Sequence, residues 1–315
     1  MKQRILNHFG IEQLGTFSSN VSRLFQTDIK SAILDNQMVA LAGDVGVGKS
    51  VMFNQVIAQL SRNSDSSPLF CQVRNFNKEN LSIMGIISEV ITDLSNEHPR
   101  RDTGARSRQF VRLVGGKFVN EKRHVCIIIE EAHRLHYNTL RSLKELRESE
   151  FAGISPLFSV VLIGHPELAM KLERRKEVYW RSHLIQLNEA SGWMTLAERL
   201  RYVAVRFGEA ITQEARERIA ALVKVPLEID VFVGKRLEEA YHAGITQLGA
   251  DAIQLSALEL KDAYGLSLKQ IADEAGLGKT TVQNAIYGQT KPETTDRVKD
   301  AIERLGKSTH NRQAM

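Results

Sequence analysis

Apolar residues gather along this chain in two patterns. In the first 190 residues, short runs recur at 38–42, 69–73, 125–129 and 159–164, with a briefer one at 184–187. Runs bounded by polar turns, and apolar at successive positions, read as strands covered on both faces. Between them the apolar positions take helical spacing, at residues 51–60 and at Ile83, Ile86, Ile87, Val90, Ile91 and Leu94. Strands alternating with helices predict an α/β fold with a doubly wound parallel sheet. A polar linker occupies 61–67. From residue 191 the pattern is helical throughout, through Leu196, Leu200, Val203, Ile211, Ile219, Leu222 and Val223. Thr212, followed by Glu214 and Glu217, reads as an amino-terminal helix cap with an acidic first turn. The expected organisation is a core with an amino-terminal extension at 1–190, a small helical lid at 191–250, an all-α domain at 251–306 and a disordered tail at 307–315.

The first run leads straight into Gly43-Asp44-Val45-Gly46-Val47-Gly48-Lys49-Ser50, and a helical pattern begins at Val51. Strand before and helix after make this a phosphate loop. Its glycines let the backbone curl until several N–H groups face a di- or triphosphate, and the helix dipole adds positive potential. Lys49 reaches the β- and γ-phosphates, and the Ser50 hydroxyl serves Mg²⁺. ATP and Mg²⁺ are the expected cofactors.

The run 125–129 ends in Glu130-Glu131. Carboxylates at the end of an apolar strand beside a phosphate loop hold a metal and orient the attacking water, so Glu130 is assigned to Mg²⁺ and Glu131 to water activation. After the run 159–164, His165 occupies the place of a γ-phosphate sensor or, as a lone histidine, of a structural cap. Arg174, Arg175 and Arg181 follow. Arg181, just before the run 184–187, is the first candidate for an arginine finger acting on a neighbouring subunit, against a surface ion pair.

Composition narrows the setting. No apolar run approaches the length of a membrane span, and the first residues lack the apolar core of a secretory signal. Both cysteines, Cys71 and Cys126, fall inside strand-like runs, as core thiols of a reducing compartment do, so a cytoplasmic protein is expected. The net charge is +5, yet residues 98–123 alone carry +6, from eight basic residues (Arg100, Arg101, Arg106, Arg108, Arg112, Lys117, Lys122 and Arg123) against Asp102 and Glu121. Such a concentration suits a surface that binds a phosphate backbone; the alternative is a solvated helix face.

A last pattern lies at 268–286. Ala272 is small enough for two helices to cross closely, Gly276 supplies a left-handed turn, and Ile271, Leu277 and Val282 fill the space between helices. This reads as a helix-turn-helix whose second helix presents Lys279, Thr280, Gln283 and Asn284 to base edges or phosphates of double-stranded DNA.

Together the phosphate loop, the acidic strand end, the sensor position and the lid resemble AAA+ ATPases. Within that class the chain is similar, over residues 16–249, to transposon target-selection ATPases typified by the phage Mu B protein, with the basic segment in a similar place. The resemblance implies ATP-dependent filaments or homo-oligomers on target DNA, with a transposase as the regulated partner. Three features depart from that pattern. The helix-turn-helix is carboxyl-terminal and closer to the LacI repressor type, Glu130 stands where aspartate is usual, and only Lys235 and Arg236 offer themselves as a second sensor. The segment 164–168 also resembles ExeA-type secretion ATPases, which carry a membrane segment and a wall-binding domain. An ATP-switched transcription regulator and a helicase loader are the rival functions.

Overall fold

The computed structural model describes residues 2–62, 67–74, 77–253 and 256–313. The chain divides into two compact units, Ser18–Thr195 and a second one made of Met1–Phe17 with Leu196–Met315. Part of the expected linker at 61–67 and the final two residues lie outside the described residues.

The first unit is built on a five-stranded parallel sheet. Its strands are β1 (Met38–Gly43), β2 (Leu69–Gln72), β3 (Val125–Ile129), β4 (Phe158–Gly164) and β5 (Ser182–Leu187), in the order β2-β3-β4-β1-β5. Every residue of β1, β3 and β4 is buried, as the unbroken apolar runs require of central strands with helices on both faces. The edge strands β2 and β5 carry the exposed or half-buried polar positions, and β4 holds one buried hydroxyl, Ser159. Because β1 lies between β4 and β5, the chain leaves its carboxyl end in one direction and returns past it from the other. That reversal opens a crevice at the carboxyl ends of the strands.

The helix Ile83–Leu94 buries Ile86, Ile87, Val90 and Ile91 against the sheet, and Ser82 caps it by accepting from the Gly85 N–H. The helix Thr103–Glu121 starts where Asp102 accepts from the Ala105 N–H at 2.7 Å, a cap of the kind worth about 1 kcal/mol. Its Phe110 meets Phe158 of β4 edge to face, ring centroids 5.4 Å apart.

In the second unit the helices Leu196–Phe207, Gln213–Leu222 and Pro226–His242 follow one another, and Thr212 caps the second through the Ala215 N–H. The first 17 residues join this unit and not the sheet. Ile5 and Leu6 of the helix Gln3–His8 are buried, His8 Nε2 lies 3.0 Å from the Ile245 carbonyl, and Arg206 donates to the Gly15 carbonyl at 3.2 Å. A Cβ on Gly15 would strike the Val205 carbonyl oxygen at 2.1 Å, so only glycine lets the segment pass this close to the helix Leu196–Phe207. The amino-terminal extension is therefore no part of the core as the expected 1–190 division had it, and the break falls at 195/196.

Further on, the helices Leu268–Ala275 and Lys279–Ile286 are joined through Gly276, whose φ of 63° terminates the first of them. Ile271, Ala272, Ala275, Val282, Ala285 and Ile286 are buried. The last helix, Pro292–Gln313, continues through the first seven residues of the segment expected to be disordered. No helix among the described residues is long and apolar enough to cross a membrane.

Candidate nucleotide site

The crevice at the carboxyl ends of the strands collects residues 43–50, Glu130, Glu131 and His165. β1 runs into the loop at Gly43, where a Cβ would stand 3.0 Å from both the Leu187 carbonyl oxygen and Val47 Cγ1. The loop closes on Gly48, held at φ 101° and ψ 12°, a conformation that glycine adopts at no steric cost. Gly48 is also the amino cap of the helix Lys49–Leu60, so the positive end of that helix opens onto the loop. Lys49 Nζ donates to the carbonyls of Gly43 and Asp44, each at 2.7 Å. Burial holds its ammonium pKa below the usual lysine range, with Asp44 and Glu131 opposing. A phosphate entering the loop would replace these neutral carbonyls as a stronger, charged partner for the ammonium. Ser50, at the second position of the helix, is exposed.

Glu130 and Glu131 end β3 as the sequence predicts, and both are exposed. Glu131 has φ 54°, a left-handed conformation that costs a non-glycine residue on the order of 1–3 kcal/mol. The strained backbone turns its carboxylate toward two histidines. Oε2 lies 3.9 Å from His133 Nε2 and 4.0 Å from His165 Nε2, too far for hydrogen bonds. The two imidazoles stack at 4.2 Å, and the His165 N–H donates to His133 Nδ1 at 3.3 Å. A hydrogen bond accepted at Nδ1 places the proton of a neutral His133 on Nε2, facing Glu131. Burial keeps the His133 imidazole neutral to lower pH than usual, and the neighbouring His165 charge acts in the same direction. Gly164 makes room for this approach, since a Cβ there would meet the His133 N at 3.0 Å. His165 is the residue before the helix Pro166–Glu173, yet its side chain makes no cap hydrogen bond.

Two residues at this crevice escaped sequence reasoning. His133 belongs to the histidine pair just described. Lys78 is 6% exposed and donates to the Val73 carbonyl at 2.8 Å; burial lowers its pKa against the pull of Glu89, Glu130 and Glu131. His133 follows Glu131 by two residues, so its nearness to the strand end was legible; its stacking on His165 and the approach of Lys78 to Glu130 and Glu131 come only from the fold.

Arg181 lies elsewhere. It precedes β5 and so stands at the amino ends of the strands, about 20 Å from the loop by the length of a six-residue strand. Its guanidinium pairs with Glu148 at 3.1 Å, and its side chain is 51% exposed. Beside it, the Trp180 ring is 77% exposed.

The basic segment divides into two groups. Arg106 donates to the carbonyls of Arg100 and Arg101 and to Ser88 Oγ, and Arg112 reaches both oxygens of Glu97 at 2.7 Å. These two tie down the loop that precedes the helix Thr103–Glu121. Arg100, Arg101 and Arg108 are exposed, and no side-chain hydrogen bond or ion pair of theirs is present among the described residues. In the second unit, Lys279, Thr280 and Gln283 are exposed on the helix Lys279–Ile286, while Asn284 is half-buried. Of the two second-sensor candidates, Lys235 is exposed and Arg236 pairs with Glu239 at 2.9 Å.

Residues 33–172 match a protein-family model described as an AAA domain. Among solved structures, the chain is similar to Cdc6p from Pyrobaculum aerophilum, at 14% identity over 97% of this chain and 85% of that one, with a TM-score of 0.53. It is similar to the Aeropyrum pernix ORC2 protein at 14% identity, over 93% and 83% of the two chains, with a TM-score of 0.52. It is similar to Drosophila ORC at 14% identity, over 98% and 78%, with a TM-score of 0.55. No curated protein sequence matches. At such identity the likeness is one of fold, and the fold is that of the AAA+ P-loop NTPases. With its AAA domain and its complete phosphate loop, the protein is an ATPase.

Proposed function

We propose that this AAA+ ATPase binds double-stranded DNA in an ATP-dependent manner, assembles on it as an oligomer or filament, and regulates a transposase. The observation that carries the reading is the exposed trio Arg100, Arg101 and Arg108, whose side chains make no hydrogen bond or ion pair among the described residues, on the same unit as the nucleotide loop. One of the structural relatives is described as bound to DNA. The basic segment also resembles, in position and character, that of the transposon target-selection ATPases.

Within each subunit, residues 43–50 would bind the phosphates of ATP through their N–H groups and Lys49. Ser50 and Glu130 would hold Mg²⁺. Both are exposed oxygen donors, which suits a hard cation that keeps much of its water. The ion supplies charge neutralisation at the phosphates. Glu131 is the base that orients water, and His165 senses the γ-phosphate. Arg181 cannot reach the loop of its own subunit, so it completes a neighbour's site as a finger and links hydrolysis to assembly. The cytoplasm is the compartment that suits two buried free thiols, Cys71 and Cys126.

A second reading has its own observation. Lys279, Thr280 and Gln283 are exposed together on one short helix, as the recognition helix of a helix-turn-helix in a transcription regulator would present them. Electron microscopy of the full chain with random-sequence DNA and a non-hydrolysable ATP analogue decides between the two. Filaments on any sequence support target selection, whereas binding restricted to one palindromic sequence hands the function to a regulator. Stimulation of a transposase by the assembled filament is the further test of the partner.

A further inference from the structure

The turn after β5 is unusually well specified. Asn188 and Ser191 exchange side-chain hydrogen bonds with each other's backbone N–H groups, at 3.0 and 3.3 Å. Gly192 then takes φ 81°, and the Trp193 N–H returns to the Asn188 carbonyl at 3.1 Å. Since Leu187 pairs with Gly43, this turn emerges beside the start of the phosphate loop. It delivers Trp193, 6% exposed, against the underside of that loop. The indole N–H donates to the Val47 carbonyl at 3.0 Å, a contact between residues 146 apart in sequence. The ring edge lies 3.8 Å from the position that a Cβ on Gly48 would take.

A trans peptide is planar, and its C=O and N–H point in opposite directions. Fixing the Val47 carbonyl toward the indole therefore fixes the Gly48 N–H on the other side, the concave side of the loop. That orientation is not automatic. Gly48 has no Cβ, so the peptide between residues 47 and 48 can turn over at little steric cost. The same loop already turns two other carbonyls, those of Gly43 and Asp44, to the Lys49 ammonium. A third carbonyl facing inward would repel a phosphate where an N–H should meet it.

We propose that Trp193 is a positioning residue for nucleotide binding: its indole N–H holds the peptide between Val47 and Gly48 with the N–H directed at the phosphates. The inference rests on the reading of residues 43–50 as the nucleotide site. It assigns to the turn after β5 a part in nucleotide affinity that no motif at 188–193 announces.

The test uses the full chain with Trp193→Phe, which keeps an aromatic ring and removes the donor. Affinity for a fluorescent ADP analogue should weaken about three- to tenfold, the worth of one hydrogen bond. KM for ATP should rise by a similar factor with kcat little changed, and the unfolding midpoint without nucleotide should stay near that of the wild type. A variant that binds the analogue as the wild type does overturns the proposal. So does one that loses kcat and nucleotide-free stability together with affinity, because Trp193 would then be a pillar of the fold. The chain has two tryptophans, so Trp180→Phe leaves Trp193 as the sole indole emitter. In that variant ADP should shift the emission saturably, and Lys49→Ala should abolish the shift. Flat emission while the analogue binds overturns the proposal independently of how Trp193→Phe folds. If the wild type binds no analogue at all, it is the nucleotide-site reading that falls.

Discussion

The two ends of the sheet are built in contrasting ways. At the amino ends, polar groups are spent on one another around Asn36, which is 5% exposed with φ 51°. Its amide donates to the Pro156 carbonyl at 3.0 Å, its Oδ1 accepts from His124 Nδ1 at 3.2 Å, and its own carbonyl accepts from Arg147 at 3.1 Å. Four chain segments are thereby joined, three of them just before β1, β3 and β4 begin. At the carboxyl ends, Glu130, Glu131 and Ser50 are left exposed, Glu131 on strained backbone. Satisfied polar groups hold a scaffold rigid, while donors and acceptors left open are available to a ligand. The difference locates the chemistry at one end and the fixed frame at the other, with Arg181 as the one candidate functional residue on the frame side.

The largest effect should come from breaking the open end. Lys49→Ala is expected to remove ATP binding, read by titration with a fluorescent ADP analogue. Glu131→Gln should bind that analogue normally and lose turnover by several orders of magnitude, because the carboxamide cannot take the proton of the attacking water. It should also hold the protein on DNA in the presence of ATP. Hydrolysis at the wild-type rate by Glu131→Gln would remove this residue as the base.

Arg181 tests whether the frame end contributes to catalysis at all. Its ion pair with Glu148 is half exposed on both sides, and such pairs are worth about 0–1 kcal/mol. Arg181→Ala should therefore fold and bind ATP like the wild type, while turnover falls about 10³-fold, the lower range for loss of an arginine finger. Mixing Arg181→Ala with Lys49→Ala should restore part of the activity, since each subunit supplies what the other lacks. Unchanged turnover in Arg181→Ala would leave the residue as a surface ion pair.

What could be read from the sequence follows from how local each feature is. The loop 43–50 is contiguous, and its flanking strand and helix are equally local, so its place at the end of β1 was legible. The buried strands were legible because each central strand is an apolar run. Trp193 was not, since its partner Val47 is 146 residues away and the turn that delivers it contains no recognisable motif. The attachment of residues 1–17 to the helical unit was hidden for the same reason: Gly15 and Arg206 meet only in the fold. The charge of residues 98–123 was plain to count, but the partners of Arg106 and Arg112 were not. Charge composition does not say which arginine meets a carbonyl and which meets solvent.

That division makes a smaller, graded prediction. Arg101→Ala with Arg108→Ala should lower the slope of log affinity for random-sequence DNA against log salt by about 1–2 per protomer, because each neutralised phosphate releases a counterion. Arg106→Ala and Arg112→Ala should instead loosen the loop before the helix Thr103–Glu121, which a drop in thermal midpoint without DNA would register. An equal loss of slope from all of these replacements would put Arg106 and Arg112 on the DNA beside Arg101 and Arg108.

The smallest effect belongs to the frame itself. Burial holds the His124 imidazole below its usual pKa, with Asp35 opposing, and its ring meets Phe118 edge on at 5.1 Å. Because Asn36 already donates through its amide nitrogen to Pro156, its Oδ1 is the acceptor, and a neutral His124 donates from Nδ1 and carries its lone pair on Nε2. Protonation thus adds a charge that the folded state disfavours relative to the unfolded chain. Where the folded pKa is the lower one, the unfolded state binds more protons as pH falls through about 6.5, so stability declines on the acid side and is unaffected above neutrality. His124→Gln retains an N–H donor and has nothing to titrate. Thermal unfolding of this variant and the wild type between pH 7.5 and roughly 5 should give converging midpoints, with the wild type ahead near neutrality and losing its lead as acid is added. His133, also held below its usual pKa by burial, contributes a parallel decline in both proteins, and so cancels from the difference. A gap that stays constant across the range would mean that His124 titrates as it does in the unfolded chain, and that the frame end gains nothing from keeping it neutral.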